Sequence, residues 1–473
     1  MIGLKPKNFS RKSKTRNSGL IECSLMSGQE IQRDVGTVPR TVRRNGAFGE
    51  RALQLYVGSS QKDSTQQCEA KRIILMNEQT VFTRGFSAEE CIKCGKCIAG
   101  CQYTNMTPKQ AGELMKKVTA MPQWYPELAF CIRCGKCDHR CPKDAHPSDL
   151  ERECLEYKRR AESETPASMA YAINGMGAEG WNANFFRDVY KGLGMTDKKI
   201  LGGWATPKKS KDILFIGCTD RMLPRTWEES QALRNIAKFG GPDDCCGVWA
   251  IQGGLLDEGY RIARRLINRL SENRFDRLVV GCGHCQKVLT RILPEKLGIV
   301  LPFPLIGIYD YFLELIETGA ARVIKPRNLE AAISDPCFGY ENGEAFLNSV
   351  RRLATTIGMN ISELPHNREN SLCCGYSGYF NDGKIAKFVK TALIKRKDFA
   401  KSGKKHFVSY CPGCHLFNHY FQPGYKSHYL LEDVLLALDG KVAEPFSIFY
   451  RRLFRPHIGW NLASVAKSAL WPE

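Results

Sequence analysis

Residues 131–142 read Cys-Ile-Arg-Cys-Gly-Lys-Cys-Asp-His-Arg-Cys-Pro, so four cysteines follow one another with two, two and three residues between them. Residues 91–101, Cys-Ile-Lys-Cys-Gly-Lys-Cys-Ile-Ala-Gly-Cys, repeat that spacing. Two residues between thiolates let one tight turn direct three sulfurs toward a common centre. The two runs therefore predict a small domain that is held together by ligands.

The cysteine content of the whole chain supports this interpretation, since 21 of the 473 residues are cysteine. We expect a cytoplasmic protein, because the sequence has no uncharged apolar run of about 18 residues. No apolar segment follows the basic residues 1–16, as it would in a secretory signal. Thiols stay reduced in the cytoplasm, so metal or redox chemistry is predicted in place of structural disulfides. Peripheral attachment to the inner face of a membrane through a partner subunit is the alternative location.

The spacing of the two runs resembles that of bacterial two-cluster ferredoxins, in which each fourth cysteine ligates the cluster of the other run. The resemblance implies two cubane [4Fe–4S] clusters, and their ligands are Cys91, Cys94, Cys97 and Cys141 for the first and Cys101, Cys131, Cys134 and Cys137 for the second. Gly95 and Gly135 allow close backbone approach to the cluster sulfurs. Gln102 stands where proline usually follows the fourth cysteine, which loosens a turn and removes no ligand. Two zinc sites are the alternative, disfavoured by the unbroken four-cysteine runs.

Two further regions each carry five cysteines, of which two are adjacent. The second set is Cys337, Cys373, Cys374, Cys411 and Cys414, with 35 residues (338–372) before the pair and 36 (375–410) after it. The first set is Cys218, Cys245, Cys246, Cys282 and Cys285, with intervals of 26 (219–244) and 35 (247–281) residues. In each set two of the cysteines follow the end of a short apolar strand, and α/β folds bind ligands at that edge of the sheet. Each set is therefore expected to converge on one crevice.

Apolar strands alternating with helices predict an α/β fold for this region, repeated after roughly 120 residues. The predicted strands lie at 213–216, 277–280, 331–334 and 406–409, and helices are expected at 108–119 (with Thr107 as N-cap), 255–270, 344–357 and 384–400. The predicted organisation is a disordered basic arm (1–84), an α-helical ferredoxin-like dicluster domain (85–160), a loosely helical connector (161–210), two repeated domains (211–330 and 331–440) and a basic, aromatic tail (441–473). The tail is expected either to lie on a membrane or partner or to pack back on its own domain.

The second five-cysteine set matches the cysteine-rich CCG domain in full, whereas the leading interval of the first set is shorter than in that domain. A dicluster module followed by two CCG domains resembles the family of heterodisulfide reductase D subunits over about residues 86–440. The resemblance implies one or two noncubane [4Fe–4S] clusters that act on a disulfide, with the second set (Cys337, Cys373, Cys374, Cys411, Cys414) as the catalytic site. It leaves open the role of Cys218 and the type of cluster in the first set.

The same resemblance implies a partner, which is a membrane cytochrome b-type subunit or another redox subunit, and a disulfide substrate or small sulfur-carrier protein. The alternative is an iron–sulfur subunit of a flavin-dependent glycolate, lactate or glycerol-phosphate dehydrogenase. A third hypothesis, from the net charge of +20, is a zinc-stabilised nucleic-acid-binding protein; no nucleic acid is expected on our interpretation. His284 and His415, beside the C-x2-C pairs, are expected to hydrogen-bond sulfur rather than to transfer protons.

Overall fold

A computed structural model describes residues 85–161, 171, 173, 184–376 and 385–453. All of them belong to one compact unit, Asp63–Glu473. The arm predicted at 1–84, part of the connector and the end of the tail lie outside the described residues. No helix in the described part of the chain is long and apolar enough to cross a membrane.

Two four-stranded parallel sheets form the centre of the structure. The strands of the first are β1 (Asp212–Phe215), β2 (Ala237–Phe239), β3 (Arg277–Val280) and β4 (Leu305–Gly307), and those of the second are β5 (Leu329–Ile333), β6 (Met359–Glu363), β7 (His406–Ser409) and β8 (Lys426–Tyr429). The order is β2-β1-β3-β4 in the first sheet and β6-β5-β7-β8 in the second. The predicted α/β fold and its repetition are confirmed.

Helices precede, cover and follow these sheets. They are α1 (Lys96–Ala99), α2 (Pro108–Ala120), α3 (Pro147–Ala161), α4 (Phe185–Lys191), α5 (Met195–Trp204), α6 (Pro224–Glu228), α7 (Val248–Gln252), α8 (Leu256–Ser271), α9 (Gly283–Lys287), α10 (Leu293–Leu297), α11 (Ile308–Glu317), α12 (Cys337–Glu341), α13 (Glu344–Thr356), α14 (Ile385–Lys401), α15 (Pro412–Phe421), α16 (Leu430–Asp439) and α17 (Phe446–Leu453). Thr107 is the N-cap of helix α2, as the sequence predicts. The structure adds a capping box, in which Thr107 and Gln110 satisfy each other's backbone N–H groups.

The two sheets share one apolar core. Leu214 and Val279 of the first sheet and Ile333 and Val408 of the second belong to a single cluster of buried side chains. The opposite face of the first sheet packs against α8, and the opposite face of the second packs against α14. Because a common core fixes the two repeats against each other, the loops at their carboxyl edges keep a defined separation.

The described part of the tail packs back on the body of the protein. Phe446 is buried against His415 and Tyr429. Arg452 is also buried, and its guanidinium contacts Asp197, Glu444 and the carbonyl oxygen of Met222. Of the two alternatives for residues 441–473, packing on its own domain therefore holds for α17.

Candidate functional site: two cysteine-lined cavities and a larger cleft

The two four-cysteine runs adopt the same loop shape. Lys93 and Gly95 in the first run, and Arg133 and Gly135 in the second, all have positive φ angles of 57° to 75°. A side chain at Gly95 is sterically excluded, since a Cβ atom there would lie 2.3 Å from the backbone nitrogen of Gly112 in α2. Gly95 thus permits close approach of a helix, while the predicted approach to cluster sulfurs stays a prediction.

The cysteines of these runs surround two separate cavities. The smaller cavity, of about 310 Å³, is lined by Cys91, Cys94, Cys97 and Cys141. The larger, of about 770 Å³, is lined by Cys101, Cys131, Cys134 and Cys137, and also by Cys97. The fourth cysteine of each run thus lies with the other run, which is the grouping that the ferredoxin resemblance implies.

Burial keeps these thiols protonated unless a cation compensates them. It raises the pKa of Cys101 to about 11, with a smaller contribution from the neighbouring Cys134, and that of Cys97 to about 12. A buried thiolate needs a positive partner, and iron supplies one. Cubane clusters use four cysteine sulfurs, and at least four cysteines line each cavity, so the residues present fit such clusters.

Each five-cysteine set forms a continuous row of sulfur contacts. In the second set the row runs from Cys337 to Cys373, Cys374, Cys414 and Cys411, with the sulfurs of Cys374 and Cys414 3.4 Å apart. The first set repeats the row in the same sense, and its members in that order are Cys218, Cys245, Cys246, Cys285 and Cys282. The shorter leading interval therefore does not separate Cys218 from its set.

The chain directions explain why these sulfurs meet. Cys218 and Cys282 follow β1 and β3, the adjacent central strands of the first sheet, and Cys337 and Cys411 follow β5 and β7 in the second. In each sheet one outer strand lies on each side of this central pair, so the strand order reverses direction between the two central strands. Parallel sheets have a crevice at their carboxyl ends at such a point. In both sets the two adjacent cysteines are followed directly by a glycine with a positive φ angle, which is Gly247 in the first set and Gly375 in the second.

All ten cysteines line one cleft of about 1000 Å³ between the two repeated domains. His284 links the sets, because it hydrogen-bonds Cys282 of the first while its Nε2 lies 3.6 Å from Cys337 Sγ of the second. His415 instead accepts or donates at Ser427 Oγ, 2.9 Å from its Nδ1. Of the two predicted histidines, only His284 is among the residues lining the cleft.

Buried cations lie beside the cysteine sets. Arg221 is fully buried near Cys218 and Cys245, and Lys395 is buried near Cys374 and Cys414. Lys136 is only 1% exposed, and its Nζ has no hydrogen-bond partner among the described residues. Arg221 and Lys395 also donate to the carbonyl oxygens of Asp244 and Leu372. Since a buried cation is costly without a negative partner, these side chains suit sulfurs that are deprotonated when they bind a metal.

The dicluster domain meets the second cysteine set directly. Tyr103 and Ile132 pack with Cys337 and Cys373 in one buried group, and the partly buried Cys134 packs against it. The Tyr103 hydroxyl donates to the carbonyl oxygen of Cys373 at 3.2 Å. The Tyr340 hydroxyl, from α12, donates to the carbonyl oxygen of Cys134, also at 3.2 Å. The larger of the two cysteine-lined cavities thus adjoins the second set.

Sequence reasoning missed the aromatic side chains of the cleft. Trp249 and Tyr376 closely follow the two Cys-Cys-Gly segments, and Phe185 and Phe186 belong to the region interpreted as a connector. An aromatic residue within two positions of each Cys-Cys-Gly segment is the feature of the sequence that could have predicted them. No group of three or more His, Cys, Asp or Glu among the described residues is placed to hold a single metal ion. The role of the cysteines as cluster ligands stays a prediction.

Comparisons with known proteins match two kinds of domain to parts of this chain. Residues 90–146 match the 4Fe-4S dicluster domain, and residues 213–290 and 331–417 match the cysteine-rich CCG domain. Fold and site together define an iron–sulfur oxidoreductase subunit.

Several proteins are similar in sequence to more than half of this chain. The D subunit of dihydromethanophenazine:CoB–CoM heterodisulfide reductase from Methanosarcina barkeri is 23% identical over 73% of this chain and 92% of its own length. The B subunit of fumarate reductase (CoM/CoB) from Methanothermobacter marburgensis is 22% identical over 69% of this chain and 66% of its own length. A probable membrane-anchored ferredoxin of Chromohalobacter salexigens is 24% identical over 61% of this chain and 44% of its own length. The resemblance to the family of heterodisulfide reductase D subunits is confirmed.

Proposed function

We propose that this protein transfers single electrons through two cubane clusters to noncubane iron–sulfur centres, where a disulfide and two thiols are interconverted. The observation that carries the proposal is the single cleft lined by both five-cysteine sets, with the second set in contact with the dicluster domain. Partner and substrate are expected to be a redox protein, such as a membrane cytochrome b, and a small or protein-borne disulfide.

The cysteines would hold the cofactors as follows. Cys91, Cys94, Cys97 and Cys141 hold one cubane, and Cys101, Cys131, Cys134 and Cys137 hold the other. Each five-cysteine set offers more sulfurs than one cube has iron corners, and adjacent cysteines such as Cys373 and Cys374 suit an enlarged, noncubane centre. When bound, these clusters supply one-electron redox chemistry over a wide range of potentials.

The reaction balances with an external electron donor. One disulfide takes up two electrons and two protons, its S–S bond breaks, and two thiols result. The electrons come singly from a reduced redox partner, which a reduced viologen replaces in an assay. Reversal of the same steps oxidises two thiols.

The residues between the dicluster domain and the second set position the two sites for electron transfer. Tyr103 is buried, stands two residues after Cys101 and bonds the backbone of Cys373, so its position is fixed from both sides. Lys390 donates from α14 to the carbonyl oxygen of Tyr103 at 3.1 Å. These contacts keep water out of the junction and hold the two sets of ligands at a constant distance.

The test is anaerobic purification of the full chain with its clusters, followed by Mössbauer and EPR spectroscopy. We expect cubane signals together with a separate signal that thiols perturb, and reduction of a disulfide that depends on reduced viologen. Cys374→Ala should remove the thiol-perturbed signal and the disulfide reduction while the cubane signals remain. Cys154→Ala, a buried cysteine outside every set, is the matched control. Cubane signals alone, without disulfide turnover, would overturn the proposal and favour an electron-transfer subunit of a flavin-dependent dehydrogenase.

A further inference from the structure

The imidazole of His284 contacts sulfur atoms of both five-cysteine sets. His284 lies between Cys282 and Cys285 in the sequence and hydrogen-bonds Cys282 of the first set. Its Nε2 atom lies 3.6 Å from Cys337 Sγ of the second set. A thiolate that holds iron accepts hydrogen bonds and donates none, so the imidazole is the donor in each contact. One side chain therefore bridges the two sites at which the proposed function places noncubane centres.

The packing of α9 against α12 fixes the position of this ring. Helix α9 belongs to the first repeat and α12 to the second. The ring of His284 meets that of Phe338 edge to face, with centroids 4.6 Å apart. The side-chain amide of Asn342 donates to the carbonyl oxygen of Gly283 at 3.1 Å. Residues of both repeats therefore hold the imidazole between the two cysteine sets.

Gly283 permits this close packing. A Cβ atom there would lie 2.1 Å from the ring of Phe338, which is closer than side-chain atoms approach one another. Phe338 is 1% exposed and packs against other buried aromatic rings, so it has little room to move. A side chain at Gly283 would therefore displace α9 from α12, and with it His284 from Cys337. The contact with Cys282 would remain, because Cys282 is the N-cap residue of α9 itself.

A hydrogen bond to a ligand sulfur stabilises the reduced form of an iron–sulfur centre. An added electron increases the negative charge on the iron and its sulfur ligands, and an N–H group that points at a sulfur stabilises that charge. Hydrogen bonds to sulfur are among the features that set the reduction potentials of such centres. Because His284 contacts both sets, the loss of its N–H groups should affect two centres at once.

We propose that His284 is a positioning residue that donates a hydrogen bond to the noncubane centre of each set and raises the midpoint potentials of both. It acts through Cys282 and Cys337 and holds no iron itself. A disulfide in the cleft would then receive its two electrons from centres whose potentials one side chain controls. This role of His284 rests on the proposed noncubane chemistry and adds the residue that links the two centres.

The test is a potentiometric EPR titration of the full chain, purified with its clusters under anaerobic conditions and measured without a disulfide. Cys246→Ala and Cys374→Ala assign the noncubane signals, because each variant lacks a ligand of one set. His284→Leu should lower the midpoint potentials of both centres by about 60 mV, which corresponds to a tenfold change for one electron. The cubane potentials should stay unchanged. A shift of one centre alone, or of neither, overturns the inference.

Further variants separate the hydrogen bonds from a structural role of the ring. His284→Gln keeps an N–H donor, so its shifts should be at most half of those in His284→Leu. Gly283→Ala should lower the potential of the second centre and leave that of the first, since it moves His284 away from Cys337 alone. His419→Leu, which removes an exposed imidazole from α15, is the control.

Two results with these variants would contradict the hydrogen-bonding role. Equal shifts in His284→Leu and His284→Gln would show that the N–H group is not the cause. A lower melting temperature of His284→Leu without any change in potential would show that the ring only supports the packing of α9 against α12.

Failure of the disulfide chemistry and failure of the role of His284 give different results. If both noncubane signals are present and no disulfide is reduced by reduced viologen, the proposed chemistry is wrong, and the potentials still decide the role of His284. If a disulfide is reduced and the potentials of His284→Leu match those of wild type, the chemistry stands and the role of His284 is wrong. If the wild-type chain gives fewer than two noncubane signals, the role of His284 is also wrong.

Discussion

Cys101 and Cys141 each connect the two four-cysteine runs. Each is close in sequence to one run of cysteines and lines the cavity of the other. The spacing alone does not require this exchange, since it follows from the resemblance to two-cluster ferredoxins and agrees with the placement of the side chains. The cavities therefore depend on both runs at once.

The exchange predicts which variants resemble each other. Cys101→Ala should lose about four irons and give the same EPR spectrum as Cys131→Ala, because both lack a ligand of the same cluster. Cys141→Ala should correspondingly match Cys91→Ala. Iron analysis and EPR of the four variants measure this. If each run instead held its own cluster, Cys101→Ala would have the same iron content and EPR spectrum as Cys91→Ala.

Lys136 provides a second prediction at this scale. Lys136 is buried in the lining of the larger of the two cysteine-lined cavities, and its charge interacts with the sulfurs of Cys134 and Cys373. Removal of a nearby positive charge disfavours the addition of an electron. Lys136→Met should therefore lower the midpoint potential of the adjacent centre by about 60 mV, a tenfold change for one electron. Potentiometric EPR titration measures the shift, and Lys136→Arg should restore most of it. Unchanged potentials in Lys136→Met would show that the charge has no such role.

At the scale of elements, the sequence predicts the central strands and misses the edges. β1, β3, β5 and β7 were predicted, β5 with a shift of two residues at its start, because their apolar runs are buried on both faces. β2, β4, β6 and β8 lie at the sheet edges and are short or polar, as in Lys-Ser-His-Tyr of β8 (Lys426–Tyr429). Their pairing comes from the neighbouring strand, which a local pattern does not reveal.

Helix α17 gives a testable case of an element that depends on one side chain. Arg452 reaches the carboxylates of Asp197 and Glu444 in the interior. When Arg452 is removed, Asp197 and Glu444 keep one ion-pair partner within the described part of the chain, which is Arg225. Arg452→Ala should therefore weaken the docking of α17 by on the order of 2 kcal/mol. Limited proteolysis with chymotrypsin, whose aromatic sites both variants keep, should release the C-terminal segment faster than in wild type. The exposed Lys441→Ala is the control, and equal cleavage rates would refute the role of Arg452.

For the whole molecule, the sequence does not predict the core that the two sheets share or the single cleft between them. The spacing of each cysteine set predicted convergence within its own domain, and the structure brings both sets together. Nothing in the spacing states how the two repeats face each other, since that depends on side chains such as Leu214 and Ile333 that unite the sheets. The edge-to-face contact between Trp249 of the first repeat and Tyr376 of the second is a product of the same packing.

Iron should stabilise the whole molecule in a pH-dependent way. Burial raises the pKa of thiols such as Cys101, so each must lose its proton to bind iron and iron affinity falls as the pH decreases. Removal of iron leaves cavities lined by cysteine. Chelator-treated protein should therefore unfold at a lower temperature than cluster-loaded protein, and iron should be lost sooner at about pH 6 than at about pH 8. Anaerobic thermal denaturation with iron analysis measures both effects. Identical melting of the two forms would contradict cluster-dependent folding.

The crossed fourth cysteines also have a consequence for biosynthesis. On the proposed ligand assignment, neither cubane would have its four cysteines when only the first run of the nascent chain has been made. The first cluster would wait for Cys141, the last cysteine of the second run, although Cys91, Cys94 and Cys97 are translated earlier. The two centres would then be completed together, and a chain that ends before the second run would hold neither.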